Sequence, residues 1–290
     1  MHDRIALGTA QFGLPYGISN TDGQTSRSEC QSILEYASTQ GIHMLDTAIA
    51  YGESERTLGS IGMDHWQVIT KLPELPDDVV DVSSWVDRQL SGALERLQIQ
   101  SVHGLLLHRP DQLDSPRGPA LYAALNEQRG RRKVAKIGIS IYSPDELEGL
   151  PPAMHFDIVQ APFSVLDRRM VLTGWADRLA QQGTEFHARS IFLQGLLLMS
   201  GGTRPRQFER WQTLWNTWET WLQARQVTPL EACLNYALNT SLISKVIVGV
   251  NRLPQLREIL DSVRDDIPDP PADLMTNDTT LLNPGFWNPI

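Results

Sequence analysis

Short apolar stretches and amphipathic helical stretches alternate eight times along the chain, a pattern that builds a parallel sheet with helices outside it. The strand-like stretches are 5–7, 44–47, 67–71, 102–107, 136–140, 157–160, 185–189 and 245–249. Several are apolar almost throughout, as expected of strands covered on both faces. Helix starts are marked by Ser26-x-x-Glu29, Ser143-Pro144-x-Glu146 and Thr228-Pro229-x-Glu231, which read as capping boxes, two of them with proline at the first helical position. Gly41, Gly130 and Gly183 follow amphipathic runs and precede strands, so they read as C-terminal glycine caps.

Eight strands, each followed by a helix, close most economically as a (β/α)8 TIM barrel. The 290 residues suit a single α/β domain of this kind spanning 1–290, somewhat longer than the ~250 typical of the fold. An open doubly wound sheet is the competing arrangement. It would want Gly-x-Gly-x-x-Gly after the first strand, where this chain reads Gly8-Thr9-Ala10-Gln11-Phe12-Gly13. Two stretches fall outside the eightfold pattern. Residues 195–226 form a long connection ending in a helix with Trp211, Trp215, Trp218 and Leu222 on one face, a face expected to pack. The tail, 265–290, is rich in proline and asparagine and ends near Phe286-Trp287. Two aromatics are costly to leave in water, so they are expected to dock, either on the outer helical layer or at the rim of an active-site mouth.

Composition narrows the partners. With 41% hydrophobic and 20% charged residues the chain can bury a sizeable core, and no apolar run is long enough to span a membrane. A net charge of −9 and a pI near 5.3 argue against a nucleic-acid partner. The one basic cluster, Arg129-Gly130-Arg131-Arg132-Lys133, reads as a solvated helix end. The N-terminus enters a strand pattern at once and leaves no room for a secretory signal, so a cytoplasmic location is expected. Cys30 and Cys233 have no paired spacing and read as buried free thiols, and the histidines do not converge with carboxylates at strand ends, so no metal site is expected.

The active site of such a barrel gathers at the C-terminal ends of its strands. Asp46 ends the second strand, Tyr51 follows it, Lys71 ends the third and His108 ends the fourth. Each alone has an ordinary structural explanation, but together they bring an acid, a phenol, an ammonium and an imidazole to one mouth. A phenol of ordinary pKa ~10 is a poor acid or base at neutral pH, and a neighbouring cation would lower it. Lys71 is expected to supply that cation and Asp46 to keep Lys71 charged. His108 can donate a hydrogen bond to a substrate oxygen, and the hydride must come from a cofactor.

Leu45-Asp46-Thr47-Ala48-x-x-Tyr51-Gly52-x-Ser54-Glu55-x-x-Leu58-Gly59, Thr70-Lys71 and Leu105-Leu106-Leu107-His108-Arg109-Pro110 together resemble the motifs of the aldo-keto reductases, and the likeness runs nearly the whole length of the chain. The resemblance implies Asp46, Tyr51, Lys71 and His108 as a catalytic tetrad, a nicotinamide cofactor extended across the barrel mouth, and a small carbonyl or alcohol substrate. It implies Ser140 and Gln160 as holders of the nicotinamide amide and Phe163 as the ring stacked on it. The family's asparagine after that serine is Ile141 here, so one amide contact is lost or passes to another residue such as Tyr142. Thr9, Ser190 and Gln194 match further nucleotide positions, the last two in the segment that wraps the pyrophosphate. Gly249, Arg252, Gln255 and Glu258 match the adenosine-phosphate segment. Gly249 and Gln255 stand where many relatives have cations, leaving Arg252 as partner for a 2′-phosphate. On Arg252 rests the expectation of NADP, with a solvated residue at a helix start as its competing reading and NAD left open. A nucleotide-binding sensor with little turnover is the alternative to an enzyme.

Overall fold

In the computed structural model, which describes residues 1–287, eight parallel strands close into one barrel in sequence order. They are β1 (Ile5–Gly8), β2 (Met44–Asp46), β3 (Gln67–Leu72), β4 (Val102–Leu107), β5 (Val134–Ser140), β6 (Ile158–Pro162), β7 (Glu185–Arg189) and β8 (Lys245–Gly249). Pairing of β1 with β8, Ile5 opposite Val246 through Gly8 opposite Gly249, completes the ring. All eight expected strands form, each bound differing by two residues at most, and no edge is left open.

The barrel is a packed interior. Ala6, Met44, Ile69, Leu106, Ile158 and Ile247 fill its centre, and a larger apolar layer lies between the strands and the outer helices. Each strand therefore buries both faces, which is why the pattern reads as continuous rather than alternating.

The expected caps are met unevenly. Thr228 and Glu231 form a full capping box. Ser26 accepts from the Glu29 amide, but the Glu29 carboxylate accepts instead from the Leu253 amide at 2.6 Å, tying the helix Arg27–Thr39 to the helix Leu253–Asp261. At Ser143 the box is displaced: the Glu146 carboxylate accepts from the amides of both Tyr142 and Ser143. Gly41 and Gly183 take the left-handed conformation expected of them. Gly130 does not; it is the last residue of the helix Gly118–Gly130, and Arg132 takes the left-handed turn.

The connection after β7 and the tail form a second apolar cluster beside the barrel. Trp215, Trp218 and Leu222 of the helix Gln212–Arg225 pack there with Phe208, Leu196 and Leu197, and the tail adds Leu274, Leu281 and Leu282. Trp287 meets Phe208 edge-on at 4.9 Å, while Phe286 stays 62% exposed, so of the two terminal aromatics only the tryptophan docks. Residues 288–290, the last of the expected domain and tail, lie outside the described residues.

Candidate active site

The ends of β1, β2, β4, β5, β6, β7 and β8 open onto one cavity of about 540 Å³, within the usual range for small-molecule sites. Asp46, Tyr51 and His108 line it. Lys71 stands behind Asp46, fully buried, its Nζ 2.7 Å from Oδ2 and 2.9 Å from the Thr47 carbonyl. The other carboxylate oxygen of Asp46 accepts from Gln160 Nε2 at 2.7 Å. A buried carboxylate is thus held by one cation and one amide, as burial of a charge demands.

Tyr51 is positioned by a close approach of backbone. A Cβ on Gly13 would lie 1.9 Å from the Tyr51 carbonyl oxygen and 2.4 Å from the Ser54 amide nitrogen, so only glycine lets the short helix Ala10–Gly13 pack on the Tyr51 turn. Gly52, at φ 53°, turns the chain there. Ser54 Oγ then bonds the Thr9 carbonyl at 2.9 Å and lies 3.1 Å from Thr47 Oγ1. Glu55, buried, accepts from Thr70 Oγ1 and Arg96 Nε. Much of the Tyr51-to-Gly59 motif is therefore scaffold holding one phenol.

The Tyr51 and His108 rings meet edge-on, with centroids 6.0 Å apart and planes at 78°. Lys71 Nζ lies 5.2 Å from the centroid of the Tyr51 ring. Burial raises the phenol pKa well above its ordinary value, and the Asp46 charge adds to this. This overturns the expectation of a phenol lowered by Lys71: that ammonium is matched by Asp46, and the cation that opposes the rise is Arg189. Burial pulls the Lys71 ammonium down while Asp46 holds it up. His108 falls to about 4, chiefly through burial, with Lys71 and Arg189 adding to the shift. A protonated phenol beside a neutral imidazole can supply one proton and one N–H to an oxygen placed between them.

The residues expected to hold a nucleotide divide. Thr9, Ser140, Gln160, Ser190, Gln194, Gly249, Gln255 and Glu258 line the same cavity as Asp46, Tyr51 and His108. Ser190, Leu193, Gln194 and Gly195 all take positive φ, a winding that turns backbone amides toward a common point and suits phosphate oxygens. The loop after β1 reaches across to them, with Gln194 Nε2 donating to the Tyr16 hydroxyl at 3.1 Å. These features fit an extended dinucleotide.

Two expected contacts do not lie on that wall. Phe163 is fully buried and stacks on Tyr236 at 5.3 Å with planes 9° apart, so its ring belongs to the core and not to a nicotinamide platform. Arg252 is exposed, paired with Asp22 at 3.2 Å, and is not among the residues lining the cavity. Gln160 lines the cavity, but its amide nitrogen is taken by Asp46 and its oxygen lies 3.4 Å from Ser140 Oγ. Sequence reasoning missed Tyr16 and Arg189, which also line the cavity. Arg189 ends β7 as Lys71 and His108 mark the ends of their strands, and that position was the available signal.

Residues 4–270 match the model of the aldo/keto reductase family. Among curated proteins the chain is similar to a D-threo-aldose 1-dehydrogenase from Pseudomonas sp, 26% identical over 91% of this chain and 92% of the relative. It is also similar to an NADH-specific methylglyoxal reductase from Escherichia coli (strain K12), 25% identical over 94% and 93%. Of solved structures, the holo form of an aldo-keto reductase from Bacillus halodurans shares the fold with a TM-score of 0.72 at 18% identity, covering 93% of this chain and 89% of that one.

Proposed function

As the chain belongs to the aldo/keto reductase family, we propose that it is a nicotinamide-dependent oxidoreductase of small carbonyl compounds in which Tyr51 carries the proton. The observation that carries this reading is the meeting of Tyr51 and His108 on the cavity wall above the buried Asp46–Lys71 pair. A bound nicotinamide dinucleotide supplies or accepts the hydride. The chain's own residues do the rest. Tyr51, its pKa raised by burial, keeps its proton at neutral pH and gives it to the carbonyl oxygen during reduction. His108, neutral above pH about 4, donates an N–H to that oxygen and orients it. Lys71 and Asp46 hold the floor of the site, and Asp46 fixes Gln160 in turn.

The adenosine end favours NADH. Glu258 is its one ionisable side chain among the described lining residues, and a 2′-phosphate placed there would meet like charge. The similarity to an NADH-specific relative points the same way. Titration of protein fluorescence should give a several-fold lower Kd for NADH than for NADPH; equal or reversed affinities would discard the preference. Tyr51→Phe should leave NADH binding nearly intact and lower aldehyde reduction by at least ~10²-fold, since it removes the proton and keeps the ring. A Tyr51→Phe protein that reduces aldehydes at the unmutated rate would end the assignment.

A further inference from the structure

Among the described residues Arg189 is the cation that lines the cavity without an ion-pair partner. Its guanidinium donates to the Ile141 carbonyl at 2.8 Å and to Ser190 Oγ at 3.3 Å, and it lies 4.5 Å over the Tyr142 ring. All three partners are neutral. Of the five guanidinium N–H groups these bonds use two, leaving three for a ligand. Arg96 pairs with Glu55, Arg169 with Asp167 and Arg204 with Glu219, whereas Arg4 and Arg168, also half-buried, give their guanidinium hydrogen bonds to backbone carbonyls. What sets Arg189 apart from those two is that it lines the cavity.

The support beneath it is fixed. Glu146 holds the Tyr142 amide at 2.6 Å and Arg169 holds the Tyr142 carbonyl at 3.0 Å, so the ring on which Arg189 rests is anchored at both backbone ends. Stacking and the Ile141 carbonyl set the guanidinium plane in advance, which lowers the entropy lost when a ligand binds. At the reactive end of the cavity Asp46 and Lys71 cancel, and the Tyr51 phenol and His108 imidazole are neutral. One positive charge is left over. Its field reaches the tetrad, since Arg189 is among the groups shifting Tyr51, His108 and Lys71.

We propose that Arg189 is a specificity-determining residue that receives a carboxylate on the carbonyl substrate, so that aldehyde or keto acids are preferred to neutral carbonyl compounds. The inference rests on the carbonyl-reducing reading of the site and names the substrate class for it. Paired, hydrogen-bonded charge of this kind discriminates by about ten- to a hundredfold. The rival occupant is the nucleotide's pyrophosphate, because Ser190 adjoins the guanidinium.

Binding and turnover separate these outcomes. The protein saturated with NADH is titrated with benzoate and with benzamide, and its reduction of 4-carboxybenzaldehyde is compared with that of the neutral methyl ester. Benzoate should bind at least tenfold more tightly than benzamide, and the acid should show at least tenfold higher kcat/KM than the ester. In Arg189→Leu both ratios should fall toward one, and Arg189→Lys should restore part of each. Equal binding of benzoate and benzamide to the unmutated protein overturns the proposal without any variant. So does a preference that survives in Arg189→Leu. Loss of NADH affinity in Arg189→Leu with the benzoate preference intact would assign the guanidinium to the nucleotide and refute a substrate role. If neither aldehyde is reduced while the benzoate preference and its Arg189 dependence hold, the reaction is wrong and the anion site stands.

Discussion

Replacing Lys71 with Met tests whether the buried pair is the support of the site. The lysine side chain is 0% exposed and its Asp46 partner 5%, at 2.7 Å. Met fills nearly the same volume, so little of the effect comes from a cavity. What remains is a buried carboxylate with Gln160 as its side-chain donor and no cation. Removing one partner of a buried ion pair costs about 3–5 kcal/mol. With an unfolding entropy of roughly 2.1 cal/mol/K per residue, a chain of this length loses about 0.6 kcal/mol per degree near its melting point, so Tm should fall by about 5–8 °C. Asp46→Asn in the same background removes the stranded charge while leaving an oxygen for Gln160 to bond. The double variant should regain more than half of the lost Tm, and its catalytic activity should stay low. Thermal unfolding followed by circular dichroism on the unmutated protein, both single variants and the double reads this directly. A Lys71→Met protein melting within a degree or two of the unmutated one, or a double variant no more stable than the single, would refute a charge-pair support.

Three further outcomes are expected. Gly13→Ala should lower aldehyde reduction at least ~10-fold, because its methyl would collide with the Tyr51 carbonyl and push the phenol off its position; steady-state kinetics at the unmutated rate would mean that the turn absorbs the strain. His108, whose pKa falls from 6.5 to about 4, makes the unfolded chain bind a proton that the folded chain refuses. Stability should therefore be fully present above pH 6.5 and decline toward pH 4, and His108→Gln should flatten that part of a Tm-against-pH curve; superimposable curves would contradict it. Deleting 281–290 strips Leu281, Leu282 and Trp287 from the second cluster and should cost at least about 3 kcal/mol of stability while leaving the aldehyde KM within twofold, since no described tail residue lines the cavity; a shifted KM at unchanged Tm would put the tail at the mouth.

The barrel was legible because its strands are buried on both faces and its helices carry local start signals. The tetrad positions were legible because strand ends in this fold share one mouth, and the same rule would have found Arg189 had the strand-seven end been weighed for charge and not only for phosphate contacts. Phe163 was not legible. Its direction is decided by Tyr236, 73 residues further on, whose ring offers a stacking partner inside the outer layer. The sign of the Tyr51 shift was equally hidden, because proximity to Lys71 says nothing about a second group that has already matched its charge. The ion pair of Arg252 was hidden for a related reason: Asp22 sits 230 positions away in sequence and 3.2 Å away in space.

The second apolar cluster bears on how this chain could be re-engineered. Leu193, Leu196 and Leu197, from a segment part of which faces the cavity, share one apolar cluster with Trp215 and Trp218 and with Leu274, Leu281 and Leu282 from the far end of the chain. The connection after β7 and the C-terminal tail are thus one unit in space though about 40 residues apart in sequence. A transplanted loop that arrives without its own tail would sit on the wrong bedding. Grafts that exchange both segments together should yield foldable chimeras with altered pockets, whereas single-segment grafts should precipitate or melt early, however well the new loop matches the barrel beneath it.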